Sequence, residues 1–156
     1  MNEPLAERPH MPGYGIAESD DGTLPWSWAV ELINRVRNHT IVTVRADGRP
    51  HAMPVWGLWF GDGYGMSTAI TSVKSRNLAT TPACAVTVVD GDDTVVIEGR
   101  GELVDVPVGF REAYRAKYAD DFPDGPIWWV RPTVAFGLRA TDEFASSATR
   151  WRFSPG

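Results

Sequence analysis

The chain has 156 residues, of which 43% are hydrophobic and 22% are charged, and its net charge is −5 at pH 7. This length is sufficient for one globular domain with a real core. The acidic balance argues against nucleic acid or an anionic membrane as the main partner, because both attract a basic surface. A single cysteine, Cys84, excludes an internal disulfide, and with three scattered histidines it offers no metal-ligand spacing.

The first ten residues, MNEPLAERPH, hold acids and prolines where a signal peptide needs a basic start and an apolar run. No apolar run approaches the length of a membrane span, so we expect a cytoplasmic protein. Residues 1–156 are predicted to form one domain. Its first 22 residues, rich in Pro, Gly and acids, are predicted to be an irregular arm that packs on the body through Met11 and Tyr14.

The next segment, PWSWAVELINRVRN, is predicted to be a helix. Its apolar residues recur at helical spacing, which gives the helix one apolar face; they are Trp26, Ala29, Val30, Ile33 and Val36. A short β-branched run, TIVTVR, follows and is typical of a strand. Asp47-Gly48 then indicates a tight primed hairpin turn, because that turn needs residues that tolerate a positive φ.

The returning strand, PHAMPVWGLWF, is apolar on both faces. One face carries Ala52, Trp56, Leu58 and Phe60, and the other carries Met53, Val55 and Trp59. A strand of this kind needs cover on both sides, so we expect the barrel interior on one side and a partner subunit or a flat aromatic ligand on the other. Pro54 cannot donate a ladder hydrogen bond, which places it at an edge or a bulge.

The remaining segments complete an all-β pattern. Strands are predicted at CAVTVVD, TVVIEGRGELV, TVAFGLRA and ATRWRF, a helix at PVGFREAYRAKYA, and a loop with two tryptophans at PDGPIWWVRP. Gly99 and Gly101 fall on one strand face and indicate a bend or a close backbone approach. About seven strands in hairpin order with occasional helices predict a mainly β fold, an antiparallel barrel with flanking helices.

The segment TSVKSRNLATTP, Thr71 to Pro82, concentrates hydrogen-bond donors on one predicted helix. Ser72 is placed to cap its first turn, and Lys74 and Arg76 put cations near its N-terminus, where the helix dipole disfavours them. A bound anion relieves that conflict, and a phosphate suits the free N–H groups. Asn77, one turn beyond Lys74, is predicted to face the same group. A solvated surface helix is the alternative interpretation.

These segments together resemble a known family. The run VTVRADGRPHAMPVWGLWF, YGMST, VKSRNLATTPACAVTVVD and VVIEGRGELV, spanning about Thr40 to Val104, resembles the flavin/deazaflavin oxidoreductase group of the pyridoxamine 5′-phosphate oxidase-like superfamily. The resemblance implies a Greek-key split β-barrel, like FMN-binding proteins, and a homodimer with cofactor sites at its interface. It departs from the family pattern at Ser72 and Val73, where many relatives carry another basic residue.

The resemblance also implies the cofactor and its contacts. Members use FMN or the deazaflavin coenzyme F420, and a few bind FAD or haem. The PVW and K-x-R-N-L motifs, with an arginine-heavy composition typical of GC-rich actinobacteria, resemble the F420 branch more closely. The implied cofactor residues are Met53, Pro54, Val55, Trp56, Met66, Ser67, Thr68, Ser72, Lys74, Arg76 and Asn77, with Trp128, Trp129 or the ATRWRF end covering the site from a partner subunit.

The implied activity is hydride transfer between F420 and a planar conjugated small molecule, with no catalytic side chain assigned, because the cofactor carries the chemistry. His51 begins the ring-facing strand and is a candidate proton donor, although a structural role is the simpler interpretation. Three alternatives stay open at this point. They are an FMN-dependent oxidase or reductase, a non-catalytic flavin or haem carrier, and an interaction domain that uses the apolar strand face for dimerisation.

Overall fold

The computed structural model describes residues 3–155, which form a β-barrel with helices around it. The strands are β1 Leu5–Glu7, β2 His39–Val44, β3 Pro50–Phe60, β4 Gly63–Ser67, β5 Ala83–Asp90, β6 Asp93–Val104, β7 Ile127–Arg139 and β8 Thr149–Arg152. The helices are α1 Trp26–Arg35, α2 Val73–Thr80, α3 Phe110–Tyr118 and α4 Phe144–Ser147.

Six of these strands close a barrel. Their order is β7-β4-β3-β2-β5-β6, and β6 returns to pair with β7. Within it the order β5-β2-β3-β4 is a Greek key, and every pairing is antiparallel. The predicted antiparallel barrel with flanking helices is therefore confirmed. Outside the barrel, β8 pairs with β7, and β1 pairs with β8.

Two local predictions differ from the structure. The arm of residues 1–22 is not wholly irregular, because Leu5–Glu7 forms β1. Residues 1 and 2 lie outside the described part, and Tyr14 lies 5.9 Å from the Phe144 ring. The turn between β2 and β3 is not the primed type, which needs a positive φ at both central residues, because only Gly48 has one, at 85°.

The second apolar face of β3 is covered by the chain itself. Val55 and Trp59 point into the barrel core, where α1 also buries Trp26 and Ile33. Leu58 packs on the other side in a separate cluster under α3, which is formed by Phe110, Tyr114, Tyr118, Phe122, Ile127 and Trp129. The expectation that a partner or a flat ligand covers the second face is therefore wrong for the second half of the strand. Only the first half remains open, where Met53 is 43% exposed.

The predicted glycine pair on β6 lets other parts of the chain approach closely. The register of β6 and β7 shifts between Glu98 and Gly99, and a Cβ at Gly99 would overlap the Arg131 carbonyl oxygen. A Cβ at Gly101 would lie 2.9 Å from Leu78 Cδ2 of α2. The absence of a side chain at Gly101 therefore allows α2 to pack against the barrel.

Candidate functional site

The barrel is open along one edge of β3. β4 pairs with β3 only from Trp56 to Phe60, with Ser67 opposite Trp56, and after Ser67 the chain leaves the sheet toward α2. The first half of β3 therefore has β2 on one side and no strand on the other. Pro54 lies in this open stretch, which suits a residue that lacks an N–H donor and agrees with its predicted place at an edge.

A cleft of about 350 Å³ lies at this opening, lined by Asn38, Pro54, Val55, Trp56 and Ser67. The Trp56 ring is held on two sides. Its Nε1–H donates to Asn38 Oδ1 at 3.0 Å, and its ring stacks on Tyr118 with centroids 4.8 Å apart and an interplanar angle of 11°. The cleft therefore has a fixed aromatic wall with amide and hydroxyl groups beside it.

The two segments assigned to a cofactor ring are brought together, because Trp56 and Ser67 are cross-strand partners. Their side chains do not all face the opening. Val55 is 5% exposed and Met66 1% exposed, and both point into the barrel core, so only their backbones are near the surface. The residues of this set with exposed or half-buried side chains are Met53, Pro54, Trp56, Ser67 and Thr68.

The predicted donor segment forms α2, and Ser72 caps it as expected. The Ser75 N–H donates to Ser72 Oγ at 3.2 Å, and Thr68 Oγ1 lies 3.1 Å from the same oxygen. This contact joins the end of β4 to the start of α2. The helix N-terminus is therefore held next to the opening in the barrel.

We predicted that Asn77 and Lys74 face the same ligand, but Asn77 turns toward the barrel instead. It is 8% exposed, and its Nδ2–H donates to Thr43 Oγ1 on β2 at 3.0 Å. Its amide anchors α2 to the barrel. Arg76 is exposed, and its Nη1 donates to the Thr71 carbonyl at 2.9 Å, so part of its donor set is used within the segment.

Lys74 lies close enough to His51 of the β2–β3 hairpin for its charge to act on that ring. His51 lies directly opposite Thr43 in the β-ladder, and Thr43 is the residue that Asn77 of α2 binds. Partial burial and the charges of Arg45 and Lys74 lower the pKa of His51. Its Nδ1 is buried with no hydrogen-bond partner among residues 3–155. Two cations therefore lie near His51, and none of these three side chains forms an ion pair with a carboxylate among residues 3–155.

Trp128 and Trp129 are not free to cover a site in a partner subunit, which corrects our prediction. They lie in strand β7 rather than in a loop, and their exposed fractions are 6% and 2%. Trp128 fills the barrel core and donates from Nε1 to Ser75 Oγ at 2.9 Å, and Trp129 packs beneath α3. Trp151 in the ATRWRF end is also fully buried.

A buried polar network behind the cleft was not anticipated from the sequence. His39, 1% exposed, has Nδ1 2.6 Å from Tyr64 Oη and Nε2 within 3.0 Å of the Ile33 and Val36 carbonyl oxygens. Two carbonyl acceptors require a proton on Nε2, and because burial keeps the ring neutral, Nδ1 accepts from Tyr64 Oη. Burial, followed by the charge of Lys117, lowers its pKa to about 4.

Arg37 and Asn38 also lie beside the cleft, and neither was predicted from the sequence. The segment PWSWAVELINRVRN, predicted as helical, includes Arg37, but the helix ends at Arg35 and Arg37 lies beyond it. The only signal for its role is that it is a basic residue between a helix and a strand, and this does not distinguish it from other surface arginines. Only the folded structure brings it beside Trp56, which follows 19 positions later.

Between residues 3 and 155 no helix has the length and apolarity needed to cross a membrane. The same residues contain no group of three or more His, Cys, Asp or Glu side chains placed to hold a metal ion. Cys84 is buried in β5, which raises the pKa of its thiol to about 11.

Comparison with solved structures places this architecture among known barrels. A protein described as an F420 reductase is 28% identical, with a TM-score of 0.57, and the match covers 67% of this chain and 93% of the other. A conserved hypothetical protein from Mycobacterium tuberculosis is 19% identical, with a TM-score of 0.66, over 80% of this chain and 90% of the other. A heme binding protein from Mycobacterium smegmatis is 19% identical, with a TM-score of 0.58, over 70% of this chain and 52% of the other.

Sequence comparison with family models identifies the barrel directly. No curated protein sequence matches the chain. The family model described as pyridoxamine 5′-phosphate oxidase matches residues 29–141, which run from α1 through all six barrel strands. This range includes β3, β4 and α2, the three elements that surround the opening. The chain therefore belongs to the pyridoxamine 5′-phosphate oxidase family.

Proposed function

We propose that this protein is an F420-dependent oxidoreductase, which transfers a hydride between the deazaflavin coenzyme and a planar conjugated small molecule. The observation that carries the proposal is the arrangement around the open edge of β3. An aromatic-walled cleft lies at Trp56, and basic side chains gather near His51, five residues earlier on the same strand. A ligand with a flat ring and a phosphate-bearing tail needs both an aromatic wall and nearby basic groups.

The basic side chains fit the phosphate end of such a ligand. Lys74 makes no hydrogen bond or ion pair with any residue from 3 to 155, and His51 Nδ1 is buried without a partner. An anion would satisfy these groups together with the free N–H groups of the first turn of α2. Arg45 also supplies positive charge from the hairpin, which compensates for the absence of a basic residue at Ser72 and Val73.

The cleft fits the ring end. Trp56 presents an aromatic surface whose orientation is set by Asn38 and Tyr118, so little ordering is needed when a flat ring packs there. When bound, F420 supplies two-electron hydride chemistry and reacts poorly with oxygen. The residues of this chain bind and orient that ring and exclude water from it, and we assign no catalytic acid or base.

The similarity to an F420 reductase, at 28% identity over 93% of that protein and 67% of this chain, supports the choice of coenzyme. We further propose a homodimer with its cofactor sites at the interface. The first half of β3 has no strand on one side, and a single chain leaves two apolar side chains exposed, Met53 at 43% and Ile70 at 56%. A second copy would cover them.

The proposal is tested by titrating the purified protein with F420 and, separately, with FMN while following ligand fluorescence. We expect F420 to bind more tightly, and the reduced coenzyme to be oxidised in the presence of quinones or enones. Preference for FMN would instead favour an oxidase or flavin reductase. Binding of haem alone, or of a ligand that never reacts, would contradict the enzymatic proposal. Sedimentation in the same buffer reports the oligomeric state.

Replacing Lys74 with alanine should weaken F420 binding at least about tenfold, or about 1.4 kcal/mol, because it removes a charged phosphate contact. The same change should not reduce the melting temperature, since a cation in the first turn of α2 opposes the helix dipole. The matched control is Arg100→Ala, which removes an exposed cation from β6 that makes no ion pair with any described residue. Equal affinities for Lys74→Ala and Arg100→Ala would show that α2 does not bind the phosphate.

A further inference from the structure

Arg37 is held beside the cleft by contacts that leave its charged group free. Its guanidinium Cζ lies 4.4 Å from the Trp56 ring centroid and 5.5 Å from that of Tyr118. Its carbonyl oxygen lies 2.9 Å from Tyr118 Oη, so the backbone is tied to the same aromatic pair. Stacking of this kind fixes a guanidinium plane without using its N–H donors.

Those donors have no partner within the described chain. Between residues 3 and 155, Arg37 makes no ion pair and no side-chain hydrogen bond. Eight other arginines in that range pair with a carboxylate, and these are Arg35, Arg49, Arg111, Arg115, Arg131, Arg139, Arg150 and Arg152. In a protein with 20 acidic side chains, an arginine held in place without a carboxylate is available to an external anion.

The position of Arg37 separates it from the phosphate end of the site. It precedes Asn38, which lines the cleft, and stacks on Trp56, which forms the cleft wall. His51, near Lys74, is five residues before Trp56 on β3, a separation of roughly 16 Å at the usual strand rise. One phosphate cannot contact both Lys74 and Arg37. An anion at Arg37 therefore belongs to a chemical group other than the coenzyme phosphate.

We propose that the cleft selects planar substrates that carry a carboxylate, and that Arg37 is the residue that recognises this group. This inference rests on the proposed function, because it names the substrate class of the same site. In the protein without coenzyme the Trp56 wall is free to pack directly against the apolar ring of such a molecule, and with F420 bound that ring lies over the coenzyme ring. Asn38 and Ser67 provide polar contacts at the rim of the cleft. The guanidinium presents two parallel N–H donors, which match the two oxygens of a carboxylate.

The test compares two ligands that differ only in charge. Naphthoate and naphthamide share a planar ring, so calorimetric titration of each isolates the contribution of the carboxylate. We expect the wild-type protein to bind naphthoate about tenfold more tightly than naphthamide. Replacing Arg37 with glutamine should bring the ratio to about one, whereas Arg37→Lys keeps the charge without the planar fork and should fall between them. Arg100→Gln, the control, should keep the wild-type ratio.

Several results would overturn the inference. They are no binding of naphthoate, equal binding of the two ligands by the wild-type protein, and a naphthoate preference that persists in Arg37→Gln. Melting temperatures of both Arg37 variants show whether they are folded, and Arg37→Lys keeps the test valid if Arg37→Gln is not. Because neither ligand requires F420, failure of this inference is distinguishable from failure of F420 binding, which the coenzyme titration reports separately.

Discussion

Replacing Gly57 with alanine is expected to lower the free energy of unfolding by about 3 kcal/mol, near the upper end of the usual cost of overpacking. Gly57 lies on β3 between Trp56 of the cleft and Leu58 of the α3 cluster. A Cβ at this position would overlap the Tyr64 hydroxyl and come within 2.5 Å of the Gly65 carbonyl oxygen. The first is the group bound to His39, and the second is backbone of the adjacent strand, so neither is free to move aside.

The cost has a second source in the hydrogen bonds of Gly57 itself. Its N–H donates to Tyr118 Oη at 2.8 Å, and its carbonyl accepts from Lys117 Nζ at 2.7 Å. Displacing β3 weakens both bonds and leaves buried polar groups unsatisfied. Because Tyr118 also supports Trp56 and Arg37, the variant should bind naphthoate more weakly than the wild-type protein.

Urea denaturation measures this effect, and Gly61→Ala is the control. A Cβ at Gly61 meets nothing within 4 Å, but its φ is 58°, so that substitution reports the cost of a left-handed backbone alone. We expect the control to lose only about 1 kcal/mol. If the two variants are equally destabilised, close packing at Gly57 is not what requires a glycine.

Acid should destabilise the protein by about 3 kcal/mol between pH 7 and pH 4 through His39 alone, at 1.36 kcal/mol for each pKa unit. The pKa of His39 is lowered from 6.5 to about 4 by burial and then by the charge of Lys117. Unfolding therefore takes up a proton in this range. The stability contributed by neutral His39 is complete above about pH 6.5 and is lost as the pH falls toward 4.

The arrangement around His39 explains the direction of this shift. Both ring nitrogens already have partners, and Lys117 Nζ lies 3.4 Å from Nε2. Burial lowers the pKa of Lys117 to about 7, so its amine is mainly charged over the range in which unfolded histidine titrates. Protonating His39 would place a second positive charge beside that of Lys117 in a buried site. It would also put a proton on Nδ1, the nitrogen that accepts from Tyr64.

Urea titrations at a series of pH values test this second prediction. His39→Gln removes the titrating group, so its stability should fall by about 3 kcal/mol less than that of the wild-type protein between pH 7 and pH 4. His10→Gln alters an exposed histidine of the N-terminal segment and should keep the wild-type pH dependence. A His39→Gln profile parallel to the wild-type profile would contradict the assignment.

Most of the barrel could be predicted from the chain because its information is local. Alternating and β-branched runs identify strands, and Phe110, Tyr114 and Tyr118 at helical spacing identify α3. The loop assigned to Trp128 and Trp129 was wrong for a related reason. The strand β7 contains Pro132 and begins after PDGP. Proline and glycine usually indicate turns, so the sequence pattern predicted a loop where a continuous 13-residue strand runs.

The candidate site was predicted in part. The motif K-x-R-N-L located α2 and its cap, and PVW located the strand beside the opening, because each motif is contiguous. Asn77 was misassigned, since helical spacing shows which residues share a face but not which of them turns toward the barrel. Arg37, Asn38 and Arg45 were missed because their roles depend on partners distant in sequence.

The sequence by itself determined the fold class, the family and the position of the basic helix, because hydrophobic periodicity and contiguous motifs are properties of neighbouring residues. The tertiary structure decided which apolar side chains face outward and which cations stay unpaired. It covered the second half of β3 with α3, buried Val55 and Met66, and left Met53 exposed. Burial and ion pairing are properties of packed surfaces, so they emerge only when β3, α2 and α3 come together.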